Sequence, residues 1–138
     1  MITGQCLCGG VQYQISGELP ARDGNMLLPS YCHCKMCQRV TGSAFWVATM
    51  VPDSQFSLEA GQNLLTRYES SPGVFRSFCK VCGSSLFFEA TAEPNQLYIG
   101  LGSMDNFNIK PQSHIFVADK ASWYDINDNL PQFDQYPT

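Results

Sequence analysis

The chain has 138 residues, 14% of them charged and 12% aromatic, with a formal net charge of −4. That length is one domain's worth and buries roughly two-thirds of the unfolded surface, so the fold needs no metal merely to compensate for small size. Few charges beside many aromatics exclude a typical helical bundle in favour of a β-rich globule, the acidic balance argues against a nucleic-acid-binding module, and the longest apolar run, Ala44 to Val51, is too short to span a bilayer.

The start, Met1-Ile2-Thr3-Gly4-Gln5-Cys6, lacks the basic residues and apolar core of a secretion signal. The expected location is therefore the cytoplasm, where thiols stay reduced and clustered cysteines are metal ligands rather than disulfides. Cys6-Leu7-Cys8-Gly9-Gly10 follows, and then Val11, Tyr13 and Ile15 alternate with polar residues through Ser16, which predicts a half-buried strand. An i, i+2 pair on a strand shares one face, so Cys6 and Cys8 are expected to present both sulfurs to one ion from such a strand. Residues 17–30, with Pro20, Asp23-Gly24-Asn25 and Pro29, read as a loop.

Tyr31-Cys32-His33-Cys34-Lys35-Met36-Cys37-Gln38-Arg39 places three thiols within six residues. A short helical turn is predicted over Cys34–Thr41, stopped by Gly42. Ala44–Val51 reads as a buried central strand. Shorter strands are predicted at Phe56–Leu58, Leu64–Tyr68, Val74–Phe78, Leu86–Glu89, Leu97–Leu101 and Ile115–Val117, with turns at Gly61-Gln62-Asn63, at Ser70 to Gly73 and at Glu93-Pro94-Asn95. The whole reads as a single mostly antiparallel β domain, 1–138, with a core over about 4–126. The acidic tail, 127–138, is expected either to pack through Phe133 and Tyr136 or to fray.

The seven cysteines divide into two sets. Cys6, Cys8, Cys79 and Cys82 complete a tetrahedral zinc site with no position for chemistry, the second pair having knuckle spacing followed by the permissive Gly83. Cys32, Cys34 and Cys37 supply three ligands, the number typical of catalytic zinc, and so predict a second, open site. Three thiolates make zinc a poor activator of water but a good holder of another thiolate. The coordination thus points to sulfur chemistry.

Lys35 and Arg39 flank this triplet, and Arg76 and Lys80 flank the Cys79/Cys82 pair. They either steer a small carboxylate-bearing ligand or only offset thiolate charge. His33 is expected to point away from the metal; His114 is the histidine free to approach as a fourth ligand, which would close the site. Phe45 and Trp46 read as core, with a pocket wall as the alternative.

The order Cys6-x-Cys8-Gly9, Cys32-His33-Cys34-x-x-Cys37, Arg76-x-Phe78-Cys79-x-x-Cys82-Gly83-Ser84, His114-Ile115 and Trp123 resembles the glutathione-dependent formaldehyde-activating enzyme (GFA) family, which includes the centromere protein V type. The resemblance implies a zinc-binding β-tent fold with two zinc ions, structural at Cys6, Cys8, Cys79 and Cys82 and catalytic at Cys32, Cys34 and Cys37. It also implies a carbon–sulfur lyase that joins glutathione, as co-substrate, to formaldehyde as S-(hydroxymethyl)glutathione, with Lys35, Arg39 or Arg76 on the glutathione carboxylates. The partners expected are a small thiol and a small aldehyde, with no nucleic acid and no membrane. The rival reading is a non-catalytic zinc scaffold or a thiol- or protein-binding module.

Overall fold

The computed structural model describes residues 1–138, and 43% of them lie in strands against 12% in helical turns, which makes the chain mainly β. The strands are β1 (Ile2–Gln5), β2 (Gln12–Ile15), β3 (Arg22–Asp23), β4 (Met26–Leu27), β5 (Ser30–Cys32), β6 (Trp46–Pro52), β7 (Phe56–Ala60), β8 (Leu65–Ser71), β9 (Val74–Cys79), β10 (Ser85–Ala90), β11 (Glu93–Gly100) and β12 (Ser113–Ile115). The α-helix α1 spans Lys35–Thr41. The chain packs as two compact units, one built from Met1–Leu19 and Met50–Asn108, the other from Pro20–Thr49 and Ile109–Thr138.

The first unit holds the antiparallel sheet β1-β2-β7 and the antiparallel run β11-β10-β9-β8. The alternation read in β2 is real: Tyr13 and Ile15 are buried while Gln12 is exposed. They join Val11, Val51, Leu86, Phe87, Leu97 and Ile99 in one apolar cluster that includes Cys6 and Cys79. Each such aliphatic or aromatic burial contributes about 1.5–3 kcal/mol, so two of the four cysteines are seated in the most stable part of this unit. The turn at Gly61 closes over the same region. Its φ of +85° is left-handed, and a Cβ there would meet Gly10 O at 2.4 Å and Val11 Cα at 2.8 Å, so only glycine fits beside the turn that follows Cys8.

In the second unit β5 pairs antiparallel with β6 and parallel with β12, setting His114 beside Tyr31 and Ile115 beside Cys32. The tail runs along β12: His114 N–H donates to Pro131 O (2.9 Å), Phe133 N–H to His114 O (2.9 Å) and Val117 N–H to Phe133 O (3.0 Å). The rings of Phe116 and Tyr136 pack edge to face at 4.9 Å. Of the two expectations for the tail, packing is the one observed.

Four local readings need correction. Cys6 and Cys8 stand on the turn after β1 rather than in a strand, because the backbone folds back there: Gly9 N–H donates to Cys6 O at 3.0 Å. The 17–30 loop contains a hairpin, β3 and β4, around Gly24-Asn25. The turn assigned to Glu93-Pro94-Asn95 is at Thr91-Ala92 instead, and β11 begins at Glu93, with Asn95 left-handed at φ 69°. The last strand ends at Ile115, since Phe116 turns left-handed at φ 54° and breaks the extended run.

Candidate functional site

The sulfurs of Cys6, Cys8, Cys79 and Cys82 all lie within 4.8 Å of one another, and all seven cysteines are free thiols. Cys6 and Cys8 sulfurs are 3.5 Å apart, and Cys8 and Cys79 sulfurs 3.8 Å. A tetrahedron of sulfurs at the zinc bond length has edges of about 3.8 Å, so the set is dimensioned for such an ion. The two knuckles are tied together by Ser84, whose Oγ accepts Leu7 N–H at 2.9 Å and lies 3.2 Å from Cys82 Sγ. Hydrogen bonds from Ser84 hold Cys82 down to about 5. Cys8 is pushed up to about 11: an N–H of Gly10 favours its thiolate, but the sulfurs of Cys6, Cys82 and Cys79 outweigh it. Four sulfurs share one small volume, so ionising all of them sets like charges together, which a bound dication would relieve.

The second cluster comprises Cys32, Cys34 and Cys37, also within 4.8 Å. Cys32 ends β5, Cys34 is the N-cap of α1, and Cys37 lies one turn in. The Cys34 sulfur accepts Cys37 N–H at 3.3 Å, so the cap itself fixes one of the three sulfurs. Gly42, left-handed at φ 68°, ends the helix by donating to Gln38 O at 2.8 Å. Contact with Cys34 and Cys37 holds the Cys32 proton far above the thiol range, whereas Cys34, accepting from Cys32 and Cys37, is held far below it. Three sulfurs this close could hold a metal ion, and the donor set is consistent with zinc.

His114 is not part of this cluster. Its Nδ1 lies 2.8 Å from His33 Nε2, and its Nε2 meets Asp128 at 3.0 and 3.1 Å, so both ring nitrogens are committed. The site is closed by no histidine. His33, expected on the surface or behind the ligands, is fully buried; desolvation and then the neighbouring His114 push it down to about 4. Gln38 holds the segment in place by donating to His33 O (2.8 Å) and Asp119 O (2.9 Å) while accepting from Lys35 Nζ (3.2 Å). Tyr31 stacks on His114 at 4.5 Å, and Phe45 packs edge to face on Tyr31 (4.9 Å) and Tyr124 (5.3 Å).

Of the predicted pocket aromatics, Phe45 is half-buried in this cluster and Trp46 is buried. Lys35 and Arg39 are exposed on α1. Arg76 is buried on β9 in the other unit, its guanidinium over the Phe88 ring at 5.3 Å. The residues that sequence reasoning left without a role are Tyr31, Gln38, Tyr124 and Asp128. Only the neighbourhood of Tyr31 and Gln38 to the cysteines could have flagged them.

Fold and clusters together define a mainly β protein with two cysteine clusters that could each hold a metal ion, one of four sulfurs and one of three. The chain belongs to the glutathione-dependent formaldehyde-activating enzyme (GFA) family, whose model matches residues 1–119. It is 28% identical over 131 residues to a Schizosaccharomyces pombe protein named as an uncharacterized lyase, covering 94% of this chain and 88% of that one. It is 26% identical over 110 residues to a Colletotrichum graminicola protein named "Putative glutathione-dependent formaldehyde-activating enzyme", covering 80% of this chain and 49% of that one. A crystal structure of a Rhodobacter sphaeroides protein shares the fold with a TM-score of 0.60 at 22% identity, over 77% of this chain and 90% of that one. No helix is long and apolar enough to cross a membrane.

Proposed function

We propose that the chain is a zinc-dependent carbon–sulfur lyase that joins glutathione to formaldehyde or a related small aldehyde, or runs the same step backward. The observation that carries this reading is the three-sulfur cluster of Cys32, Cys34 and Cys37, with both nitrogens of His114 engaged elsewhere. Cys6, Cys8, Cys79 and Cys82 would hold the structural ion, and Cys32, Cys34 and Cys37 the catalytic one. A zinc ion on three thiolates supplies a position that takes a further thiol as thiolate and suits sulfur better than water.

The reaction balances without a redox partner. The glutathione sulfur forms a bond to the carbonyl carbon, the C=O π pair moves to oxygen, and that oxygen gains the proton the thiol gave up. The Cys34 sulfur, accepting the Cys37 N–H as the helix cap, is pinned at the start of α1. We assign Lys35 and Arg39, exposed on α1, to the glutathione carboxylates; Arg76 carries the same assignment but is buried, and ranks below them. We place the reaction in a reducing compartment, the cytoplasm, where all seven thiols stay available.

The test is a glutathione-dependent assay of formaldehyde disappearance with the purified two-zinc chain. The expected result is catalysis that requires glutathione and is lost when the more exchangeable zinc is removed by a mild chelator. Two inert zincs, no uptake of glutathione and no rate above the uncatalysed reaction would make the chain a zinc scaffold.

A further inference from the structure

We infer that the open edge of β8 is a dimerisation strand: two copies of this chain pair there antiparallel about a two-fold axis through Tyr68, with each Arg67 opposite the partner's Glu69. Neither cysteine cluster takes part, so the pairing stands or falls separately from the lyase reading.

β8 (Leu65–Ser71) ends the run β11-β10-β9-β8 and is hydrogen-bonded to β9 alone. Its register is unbroken from Leu65, opposite Cys79, to Glu69, opposite Phe75. One residue earlier in the same register, Lys80 N–H donates to Leu64 O at 2.9 Å, so Leu64 and Lys80 form a hydrogen-bonded pair. Hydrogen-bonded and non-hydrogen-bonded pairs alternate along an antiparallel ladder. Thr66 and Tyr68 therefore turn their backbone groups to β9, whereas Leu65, Arg67 and Glu69 aim their N–H and C=O at the open edge. A regular edge of this kind is a template for another strand.

The charges on the edge select a second copy as that strand. Arg67, Tyr68 and Glu69 are all exposed, Tyr68 to 64%. Being two residues apart, Arg67 and Glu69 share one face of β8, and Tyr68 projects from the other. An edge carrying charge of one sign repels its own copies. Here the two signs stand symmetrically about the tyrosine, so an antiparallel copy centred on Tyr68 places every Arg67 opposite the partner's Glu69 in a hydrogen-bonded pair. Centring on Arg67 or on Glu69 would instead set like charges face to face, which is unfavourable. Tyr68 meets the partner's Tyr68 in the non-hydrogen-bonded pair, the closer of the two kinds, where aromatic rings pack across strands. The existing contacts leave both charges usable. Arg67 lies over the Phe75 ring at 4.1 Å and reaches Glu89 only at 4.0 Å, between exposed side chains. Glu69 accepts Gly73 N–H at 3.1 Å through Oε2, which leaves its other oxygen for a cation.

The test is analytical ultracentrifugation of the full-length, zinc-loaded chain over a concentration series reaching about 100 μM, where any Kd of that order or tighter registers. The mass is expected to rise with concentration from 15.3 kDa toward twice that value, and a mass that stays at 15.3 kDa overturns the pairing. Arg67→Glu and Glu69→Arg, each alone, put like charges on both sides of the axis and should weaken the dimer about 10-fold or more. Mixed in equal amounts, the two variants offer opposite charges to one another at both positions, so they should pair with about the wild-type affinity. A dimer indifferent to both substitutions, or folded variants that fail to pair on mixing, would overturn the inference. Amide hydrogen exchange on the unaltered chain gives a reading that needs no variant. The Arg67 and Glu69 amides should slow as concentration rises, while the Tyr68 amide is protected by β9 throughout; Arg67 and Glu69 exchange that ignores concentration contradicts the pairing. None of these readings involves turnover, so a dimer without glutathione activity would refute the lyase reading and leave the β8 interface intact.

Discussion

Cys79→Ala is expected to abolish the folded chain. Cys79 is fully buried in the apolar cluster, and its sulfur stands 3.8 Å from that of Cys8, 71 residues away. Structural zinc in finger peptides contributes on the order of 10–16 kcal/mol of apparent binding free energy, which is comparable to or larger than the whole stability of a domain this size. Three sulfurs left in a closed site cannot recover most of that, and the missing sulfur also leaves a void in the apolar cluster. The check is zinc content together with thermal unfolding by circular dichroism. The variant should be found aggregated or without a cooperative transition. A well-folded Cys79→Ala chain holding one zinc would mean that the four-cysteine cluster is dispensable to the fold.

Cys34→Ala should behave in the opposite way, keeping the fold and one zinc per chain while losing the glutathione-adduct activity. The structural loss is that of a helix cap, about 1 kcal/mol, because Cys34 caps α1 through Cys37 N–H and lies far in sequence from the buried cysteines of the other cluster. The chemical loss is one of three ligands. A fall of about 10³-fold or more in kcat/KM is expected, equivalent to about 4 kcal/mol of transition-state stabilisation. Activity that survived, or loss of both zincs at once, would show that the clusters are not independent.

The contrast between these two variants follows from features that were legible in the sequence to very different degrees. The cysteine triplet and the two cysteine pairs could be read directly, because i, i+2 and i, i+3 spacings are local; the joining of the pairs across 71 residues followed only from counting to four ligands. The strand at Val11–Ser16 and the helix ending at Gly42 were legible for the same reason: alternation and a left-handed cap are properties of a few adjacent residues. Strands β3, β4 and β5 are two or three residues long, too short for alternation to register. Pro94 imitated turn punctuation although it lies within β11.

The hydrogen-bonded trio of His33, His114 and Asp128 was the least legible. It depends on β12 lying parallel to β5, which brings His114 to His33 across 81 residues, and on a tail that places Asp128 beyond the ring. No spacing rule encodes a parallel pairing of two three-residue strands. His114 therefore looked like a free ligand, when its ring is held by hydrogen bonds on both sides.

The central claim is that one metal site is saturated by protein and the other completes its shell with a thiol. X-ray absorption at the zinc edge of the two-zinc chain, with and without glutathione, measures it directly. Seven cysteines shared between two four-coordinate ions give a mean of about 3.5 sulfurs per zinc, with a lighter donor making up the rest, and saturating glutathione should raise the mean to about 4. A sulfur count that does not change on adding glutathione would contradict the account.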